Sequence, residues 1–281
     1  MIGEAKMTKT EEKYQRLQQI LKDMEGVLVA FSAGVDSTFV LKVAHDVLGE
    51  KVLAVTARSV TYPLAELEEA KQLASSLGVR HLIVESKEIN VPGFSNNPPN
   101  RCYYCKTELY DILTEIARRE NIPYIVDGTN YDDIQDYRPG MKATAEHGVR
   151  SPLKEAGLTK EEIRHLSREL GLPTWDKPSF ACLSSRFPYG DKITVEKLQM
   201  VEAAENFLRQ FKFKQLRVRH HDKIARIELT KEDMVRVVTT DIGDKIVAKF
   251  KELGYTYVTL DLQGYRTGSM NEVLLKLEMV N

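Results

Sequence analysis

Short unbroken runs of apolar residues alternate with amphipathic stretches along the first part of the chain. Runs without polar alternation are typical of strands that are buried on both faces. The predicted strands cover 26–31, 51–57, 81–84 and 124–127. Apolar residues at helical spacing predict helices at 10–25, 38–48, 64–77 and 109–120. Strands that alternate with helices predict an α/β fold, in which helices cover both faces of a parallel sheet.

The pattern changes near residue 185. Apolar and charged residues alternate at 216–219 and 225–229, which predicts antiparallel strands with one solvated face. The remaining predicted elements are helices at 194–211 and 231–252 and a strand at 257–261. We therefore expect two domains, 1–185 and 186–281, of which the second is a smaller α+β domain.

Composition and charge narrow the class of protein. Of 281 residues, 42% are hydrophobic and 29% are charged, which is a globular composition rather than a disordered one. The formal net charge of −1 argues against a general nucleic-acid binder. No apolar stretch approaches the roughly 18 residues of a membrane span, and the charged N-terminus resembles no secretory signal. Three cysteines are an odd count, so we expect a cytoplasmic protein with reduced thiols.

The segment Ser-Ala-Gly-Val-Asp-Ser at 32–37 lies between a predicted strand and a predicted helix. Small residues let a bound anion approach the backbone, and the helix that follows presents free N–H groups. Ser32 and Ser37 add hydroxyl donors. Asp36 suits a phosphate site only if it holds a Mg²⁺ ion that bridges to the phosphates. The chain has neither GxxxxGK[ST] nor GxGxxG, which excludes a kinase-type P-loop and weakens a dinucleotide site.

This loop resembles the SGGxDS sequence of the PP-loop ATP pyrophosphatases, also called adenine nucleotide alpha-hydrolase-like proteins, with Ala33 in place of one of the two glycines. The resemblance implies that ATP is cleaved between its α and β phosphates while a substrate is adenylated. It also implies a second ATP-binding patch after a later strand, where Asp-Gly-Thr-Asn at 127–130 fits. The ATP-binding residues that we expect are Ser32, Gly34, Asp36, Ser37, Ala57, Asp127, Gly128 and Arg138.

The three cysteines allow several roles. Cys102 and Cys105 form C-x-x-C, and Cys182 stands alone some eighty residues later. The thiols can be buried structural groups, or the pair can be a redox or zinc site. They can also hold a 4Fe-4S cluster with one iron left open for chemistry, because such clusters normally take four cysteines. Cys182 alone is also a candidate nucleophile, since Arg186 nearby would favour its thiolate.

Five segments across the chain together resemble the LarE family of ATP-dependent sulfur transferases, which act in nickel-pincer cofactor biosynthesis. The segments are FSAGVDSTFVLKVAHDVLG, NYDDIQDYRPGMKA, CLSSRFPYG, LRVRHH–DKIARIEL and YVTLDLQGYRTGSMN. The resemblance implies that a carboxylate of a pyridinium biscarboxylic acid mononucleotide is adenylated with ATP and Mg²⁺, and that sulfur then displaces AMP. Cys182 matches the residue that gives up its own sulfur in some members, whereas members with the extra cysteine pair are thought to use a cluster with an added sulfide.

The resemblance implies further site residues in the second domain. Arg217 and Arg219 match arginines that bind the substrate phosphate, and on an alternating strand they share one face. Ser185 and Arg186 match positions beside the sulfur donor, and we group both with the phosphate ligands. The resemblance further implies a second metal site at Glu205 and Glu228, and a homo-oligomer, trimer or hexamer, formed through this domain.

Other functions remain open at this stage. A tRNA thiolase would share the ATP loop and often a three-cysteine cluster, but it usually needs a basic surface or an added RNA-binding module. An amide-forming ligase that uses ammonia would explain the ATP site but not the cysteines. A non-catalytic ATP or redox sensor would bind ATP without releasing pyrophosphate. We expect a small-molecule pyridinium mononucleotide substrate, an unidentified sulfide source, and neither a membrane nor a nucleic-acid partner.

Overall fold

A computed structural model describes residues 7–135, 139–178, 181–266 and 268–272. The chain divides into two compact units. The first contains the described residues up to Glu88 and those from Cys102 to Pro178, and the second contains Ile89–Arg101 and the described residues from Ala181 onward. Within the described ranges, no helix is long and apolar enough to cross a membrane. The predicted domain boundary after residue 185 stays a prediction.

The regular elements are numbered in chain order. The strands are β1 (Val27–Ala30), β2 (Val52–Arg58), β3 (Arg80–Glu85), β4 (Tyr124–Val126), β5 (Leu216–His221), β6 (Ile224–Leu229) and β7 (Tyr257–Leu260). The helices are α1 (Lys9–Lys22), α2 (Val35–Leu48), α3 (Leu64–Ser76), α4 (Pro92–Ser95), α5 (Arg101–Arg119), α6 (Gly140–Glu146), α7 (Pro152–Ala156), α8 (Lys160–Glu169), α9 (Val195–Arg209), α10 (Lys231–Thr239) and α11 (Ile242–Glu252).

The first unit is built on a parallel sheet in the order β3-β2-β1-β4. Val27 and Val29 of β1 belong to one hydrophobic cluster, with side chains of α1, α2 and α8. Leu28 belongs to another cluster, with side chains of α5. Successive side chains of a strand point to opposite faces, so the sheet is buried on both sides at β1, whereas the edge strand β3 is partly exposed. The predicted parallel sheet with helices on both faces is confirmed.

The strand order places a binding site at one edge of this sheet. The chain moves outward from β1 to β2 and β3, and it then returns to the other side of β1 with β4. In open α/β sheets, ligands bind at such a switch point, beyond the carboxyl ends of the strands. The segment 31–34 follows β1 and Asp127 follows β4, so both predicted ATP-binding patches leave the sheet at this edge.

Helix α5 corrects the predicted environment of the cysteine pair. The expected helix began at residue 109 and left C-x-x-C on a loop, but α5 begins at Arg101 and contains Cys102 and Cys105. The preceding Asn-Pro-Pro-Asn cannot continue a helix, whereas the residues after it contain no helix breaker. The N–H of Arg101 bonds to the carbonyl of Pro98 at 2.9 Å, which starts the helix there.

The second unit has the strand order β5-β6-β7, with β5 and β6 antiparallel, as predicted, and β6 and β7 parallel. The predicted helix over 231–252 is two helices, α10 and α11, because Thr240 adopts an extended conformation. The segment 89–101 also belongs to this unit. Its buried Asn97 donates through Nδ2 to the carbonyl of Pro188 at 2.6 Å and accepts from the N–H of Gly190 at 2.9 Å.

Candidate functional site

The phosphate loop, residues 31–37, joins β1 to α2 through contacts among its own residues. The hydroxyls of Ser32 and Ser37 lie 3.0 Å apart, and Ser37 donates to the carbonyl of Gly34 at 3.3 Å. Gly34 is the N-cap residue of α2 and has an extended conformation. The first N–H groups of a helix have no partner within the helix and attract anions. The two serines therefore stand where the sequence predicted a phosphate-binding turn.

Ala33 has a left-handed backbone conformation, with φ of +55°, and is completely buried. Glycine adopts this conformation readily, whereas a side chain makes it cost roughly 1–2 kcal/mol. The SGGxDS pattern that this loop resembles has glycine at this position. The structure thus gives a physical reason for that glycine and shows that this chain accommodates alanine instead.

Asp36 lies in the first turn of α2, and one of its carboxylate oxygens has no hydrogen-bond partner among the described residues. Oδ2 is 2.5 Å from Nζ of Lys160, whereas Oδ1 is buried and has no hydrogen bond of acceptable geometry to the described residues. Burial raises the pKa of Asp36, Lys160 and Asn130 oppose that effect, and Asp133 adds to it, so that the pKa stays above its usual value. An unpartnered carboxylate oxygen beside a phosphate site fits the predicted Mg²⁺ ion, which prefers oxygen ligands.

Asp127, predicted to bind ATP, has several protein donors at its carboxylate. Its carboxylate accepts from the ammonium of Lys106 at 3.2 Å and from the hydroxyls of Tyr110 at 3.0 Å, Thr129 at 2.8 Å and Ser151 at 2.8 Å. Burial alone would raise the pKa of Asp127, but these donors hold it below its usual value. These donors satisfy the buried carboxylate, and the predicted contact of Asp127 with ATP stays a prediction.

At Gly128, the second predicted ATP-binding patch, residues 127–130, packs closely against the phosphate loop. A Cβ atom at this position would lie 2.9 Å from the backbone nitrogen of Ser37 and 3.2 Å from the carbonyl carbon of Asp36. Only glycine allows two backbone segments to approach this closely. The half-buried Ala57 lies near the carboxyl end of β2, next to β1 in the sheet. Arg138 lies outside the described residues.

The sequence analysis missed two lysines at the phosphate loop. Lys160 is the first residue of α8, which begins with a capping box between Thr159 and Glu162. Lys177 donates to the carbonyl of Ala33 at 3.1 Å and pairs with Glu66 at 2.8 Å. The capping box was a usable sign that a helix, and with it a cation, begins at residue 160. No local pattern marks Lys177, because its partners lie more than a hundred residues earlier in the chain.

The three cysteines are distributed over both units. Cys102 is exposed and Cys105 half-buried in the first turns of α5, three residues apart and therefore on one face of the helix. Cys182 is half-buried in the second unit, and none of the three forms a disulfide. Within the described parts of the chain, no three His, Cys, Asp or Glu side chains are grouped to hold a metal ion. The predicted cluster therefore stays a prediction.

The Cys182 loop, residues 181–187, is held by one buried arginine. Arg186 donates to the carbonyls of Ala181 at 2.7 Å and Cys182 at 3.1 Å and to the hydroxyl of Ser185 at 2.8 Å. Its other nitrogens bond both carboxylate oxygens of Glu205, at 2.9 and 3.0 Å. These contacts of Arg186 orient the backbone around Cys182, and its guanidinium is completely buried. Its predicted contact with a substrate phosphate stays a prediction.

The predicted arginine pair, Arg217 and Arg219, lies beside this loop. Arg217 and Arg219 lie on β5 two residues apart, so they share the face that is turned away from Leu216 and Val218 of the core. Arg219 donates to the carbonyl of Ser185 at 2.9 Å, and its buried Nε has no partner among the described residues. Burial and the nearby Arg186 lower the pKa of Arg217. A bound phosphate would relieve this crowding of positive charge.

Glu205 and Glu228, predicted as metal ligands, are partners of arginines instead. Glu205 pairs with Arg186, and Glu228 lies 2.7 Å from Arg219 and 3.1 Å from Arg226. Both glutamates are fully buried. Burial alone would raise the pKa of Glu205, but Arg186 holds it below its usual value. Because guanidinium groups already compensate these charges, the contacts favour ion pairs over a second metal site.

A sequence model of the NAD synthase family matches residues 10–98, which include the phosphate loop. A Lactiplantibacillus plantarum protein named pyridinium-3,5-bisthiocarboxylic acid mononucleotide synthase is 41% identical over 95% of this chain and 96% of its own length. The chain belongs to this synthase family. The family expected from the sequence, LarE, is thereby confirmed.

Two further relatives of this chain have names that assign no activity. An uncharacterized protein of Synechocystis is 47% identical over 95% of this chain and 99% of its own length. An uncharacterized protein of Methanocaldococcus jannaschii is 28% identical over 91% of this chain and 98% of its own length. The likeness thus covers both units in each case, including the segments that carry all three cysteines.

Proposed function

We propose that this protein is an ATP-dependent sulfur transferase that converts a carboxylate of pyridinium-3,5-biscarboxylic acid mononucleotide into a thiocarboxylate. One observation carries the proposal: a phosphate loop with an available Asp36 oxygen lies in a chain that matches a synthase of the bisthiocarboxylic product over almost its whole length. The product named for that relative differs from the proposed substrate by replacement of carboxylate oxygen with sulfur.

The first step activates the carboxylate. A substrate carboxylate oxygen attacks the α-phosphorus of ATP, the bond to the bridging oxygen of the β-phosphate breaks, and pyrophosphate leaves with its electron pair. Ser32, Ser37 and the N–H groups at the start of α2 would bind the phosphates. Mg²⁺, when bound at Asp36, would neutralise phosphate charge. Lys160, held at Asp36, would supply a second cation to the same site.

The second step transfers sulfur. A sulfur nucleophile attacks the carbonyl carbon of the acyl-adenylate, and AMP leaves with the electron pair of the broken carbon–oxygen bond. If Cys182 is the donor, its thiolate forms a thioester. Removal of the Cys182 Cα proton then breaks the Cβ–S bond, which leaves a thiocarboxylate on the substrate and dehydroalanine in the chain. Arg217 and Arg219 would hold the substrate phosphate, since Arg219 Nε is a buried donor without a partner among the described residues.

The alternative sulfur source is a 4Fe-4S cluster on Cys102, Cys105 and Cys182. The donor set suits iron, because cluster ligands are thiolates and α5 presents two of them on one face. Such a cluster would supply an added sulfide, so that the chain would not lose a cysteine sulfur. We also propose that the protein is cytoplasmic and binds no nucleic acid. We further propose that it forms a trimer or hexamer, and light scattering on the purified protein tests this oligomeric state.

Pyrophosphate release tests the activity. With ATP, Mg²⁺ and the pyridinium biscarboxylate mononucleotide, we expect one pyrophosphate per carboxylate activated, together with a product in which sulfur replaces oxygen. Asp36→Asn should slow this release about a hundredfold or more, because it removes a charge at the reacting phosphates. Asp46→Asn is the matched control, since Asp46 lies exposed on the same helix and pairs with Lys42. Substrate-independent pyrophosphate release, or none at all, would overturn the proposal.

The fate of the sulfur distinguishes the two sources. Iron and acid-labile sulfide are measured on protein that was purified and reconstituted without oxygen. About four irons per chain, lost in Cys102→Ala, would favour the cluster. An iron-free active enzyme whose mass falls by one H₂S after turnover would favour Cys182 as donor. Full sulfur transfer by Cys182→Ala would exclude both assignments, and thiolation of tRNA in place of the mononucleotide would make the protein a tRNA thiolase.

A further inference from the structure

Two carbonyl groups of the phosphate loop are bonded by side chains from outside it. The hydroxyl of Tyr62 donates to the carbonyl of Ser32 at 2.8 Å, and the ammonium of Lys177 donates to the carbonyl of Ala33 at 3.1 Å. Burial, together with the charges of Glu66 and Glu69, raises the pKa of Tyr62 above its usual value, so its hydroxyl stays protonated and can donate.

These two bonds fix the direction of the loop's N–H groups. In a trans peptide the C=O and N–H groups point in opposite directions across a rigid plane. Because the carbonyls of Ser32 and Ala33 point at Tyr62 and Lys177, the N–H groups of Ala33 and Gly34 point to the other side. Successive N–H groups that are turned the same way form a concave anion site.

Lys177 is itself held firmly. Its ammonium lies 2.8 Å from Glu66 and 2.7 Å from Glu69, both on α3, and its side chain is only 14% exposed. The guanidinium of Arg164 donates to the backbone carbonyls of Trp175 at 2.7 Å and Lys177 at 2.8 Å. A lysine with its backbone and its ammonium both fixed is suited to hold a loop, because little conformational freedom remains to be lost.

We propose that Lys177, assisted by Tyr62, is a positioning residue for ATP binding: it holds Ala33 in its left-handed conformation and turns the loop's N–H groups toward the phosphates. Lys177 touches the loop through a carbonyl oxygen, so it acts on ATP through the backbone. Its role presupposes that the loop binds ATP, as proposed above. The alternative is that Lys177 only compensates the charges of Glu66 and Glu69 near the phosphates.

The test measures ATP affinity by calorimetry in the presence of Mg²⁺. Lys177→Met should weaken ATP binding about tenfold, because one charge-assisted hydrogen bond to the loop is lost. Tyr62→Phe should weaken it about threefold, since a neutral hydrogen bond contributes less. Lys71→Met is the matched control: Lys71 pairs with Glu68 on the exposed side of α3, and this variant should bind ATP like the wild type.

Ala33→Gly separates positioning from charge compensation. Glycine adopts positive φ without strain, so Lys177→Met/Ala33→Gly should regain most of the lost affinity. Charge compensation predicts instead that ATP affinity recovers in the triple variant Lys177→Met/Glu66→Gln/Glu69→Gln and not in Lys177→Met/Ala33→Gly. That result would overturn the proposal. Lys177→Met binding as tightly as Lys71→Met would overturn it as well. Thermal unfolding and affinity for the pyridinium mononucleotide check that Lys177→Met is folded. Wild-type protein that binds no ATP would instead refute the proposed function itself.

Discussion

The phosphate loop and the Cys182 loop are both short turns, but they are stabilised in different ways. The phosphate loop is held by serine hydroxyls and a glycine carbonyl within six residues, with Tyr62 and Lys177 bonded to its carbonyls. The Cys182 loop is held by Arg186 and Arg219, whose guanidinium groups are paired with buried glutamates. The hydrogen bonds of the first loop join hydroxyls and backbone carbonyls, with one ammonium from outside the loop, whereas the second loop depends on buried charge pairs.

Because of this difference, we expect substitutions in the two loops to have different energetic costs. Hydroxyls and carbonyls carry no net charge, so the loss of one hydrogen bond in the phosphate loop should cost about 1 kcal/mol. Removal of one partner from a buried ion pair leaves the other charge uncompensated, which costs about 3–5 kcal/mol. We therefore expect substitutions around the Cys182 loop to destabilise the protein, and those around the phosphate loop to affect ATP affinity more than folding.

The largest effect should come from Glu205→Gln. It leaves the guanidinium of Arg186 fully buried beside a neutral amide, so the free energy of unfolding should fall by about 3–5 kcal/mol. Urea unfolding, followed by circular dichroism, measures this loss. Glu252→Gln is the control, because Glu252 pairs with Lys249 on the exposed surface of α11 and should change stability by less than about 0.5 kcal/mol. Equal losses in both variants would contradict the distinction between the loops.

The second unit should also be sensitive to acid through His220. This histidine is 2% exposed, lies on β5 beside Arg219 and bonds through Nδ1 to the hydroxyl of Tyr255 at 3.2 Å. Burial, with some help from Lys197, lowers the pKa of His220 from 6.5 to about 4. Between these values the unfolded chain binds more protons, so stability falls as the pH falls from about 6.5 to about 4.

The expected loss over this range is at most about 3 kcal/mol. It is measured as the difference in unfolding free energy between pH 7 and pH 4.5. His220→Phe should reduce this dependence, because phenylalanine does not titrate, whereas His81 and His221, whose pKa values burial also lowers, remain. His165→Gln, at an exposed site on α8, should leave the dependence as it is in the wild type. A wild-type protein with pH-independent stability in this range would show that His220 is not held in its neutral form.

Lys160→Met should act on ligand binding rather than on folding. Asp36 would lose the cation at its Oδ2 and keep its unpartnered Oδ1, so the site would bind the negatively charged ATP less well. We expect ATP affinity to fall about tenfold, or about 1.4 kcal/mol, measured by calorimetry. Lys13→Met removes an ion pair with Glu162 of the same helix α8 and should leave ATP affinity unchanged. If both variants bind ATP equally well, Lys160 takes no part in the site.

The same contrast explains what the sequence could predict. Buried strands, the helices after them and the Ser-Ala-Gly-Val-Asp-Ser turn are specified by residues that are neighbours in the chain, so their pattern is visible without a structure. Arg186 and Glu205 are also visible as residues, but nothing in their spacing shows that they meet. Their pairing depends on how α9 packs beside the Cys182 loop, which is a tertiary property.

The partners of three predicted ligand residues, Asp127, Glu205 and Glu228, could not be seen in the sequence. Asp127 was predicted to bind ATP from the resemblance and its place after a strand, and in the structure its carboxylate accepts from Lys106, Tyr110 and Ser151 and from Thr129 of the same loop. Glu205 and Glu228 were predicted as metal ligands from the resemblance, and the arginines that pair with them could not be seen in the sequence. A polar residue type at a plausible position therefore indicates a candidate site, but its partners decide whether an atom is left for a ligand.

Ala33→Gly should change the free energy of unfolding least, and it should raise this free energy rather than lower it. Most alanine-to-glycine changes destabilise a protein, because glycine loses more conformational freedom on folding, about 0.5–1 kcal/mol. At Ala33, with φ of +55°, glycine also removes a strain of about 1–2 kcal/mol, so the net change should be a gain of about 0.5 kcal/mol. Ala145→Gly, at an exposed position in α6, should instead lose about 1 kcal/mol. Urea unfolding of both variants compares them directly. A loss of stability in both would mean that Lys177 and Tyr62 hold the loop without strain, and that alanine replaces the glycine of the SGGxDS pattern at no cost.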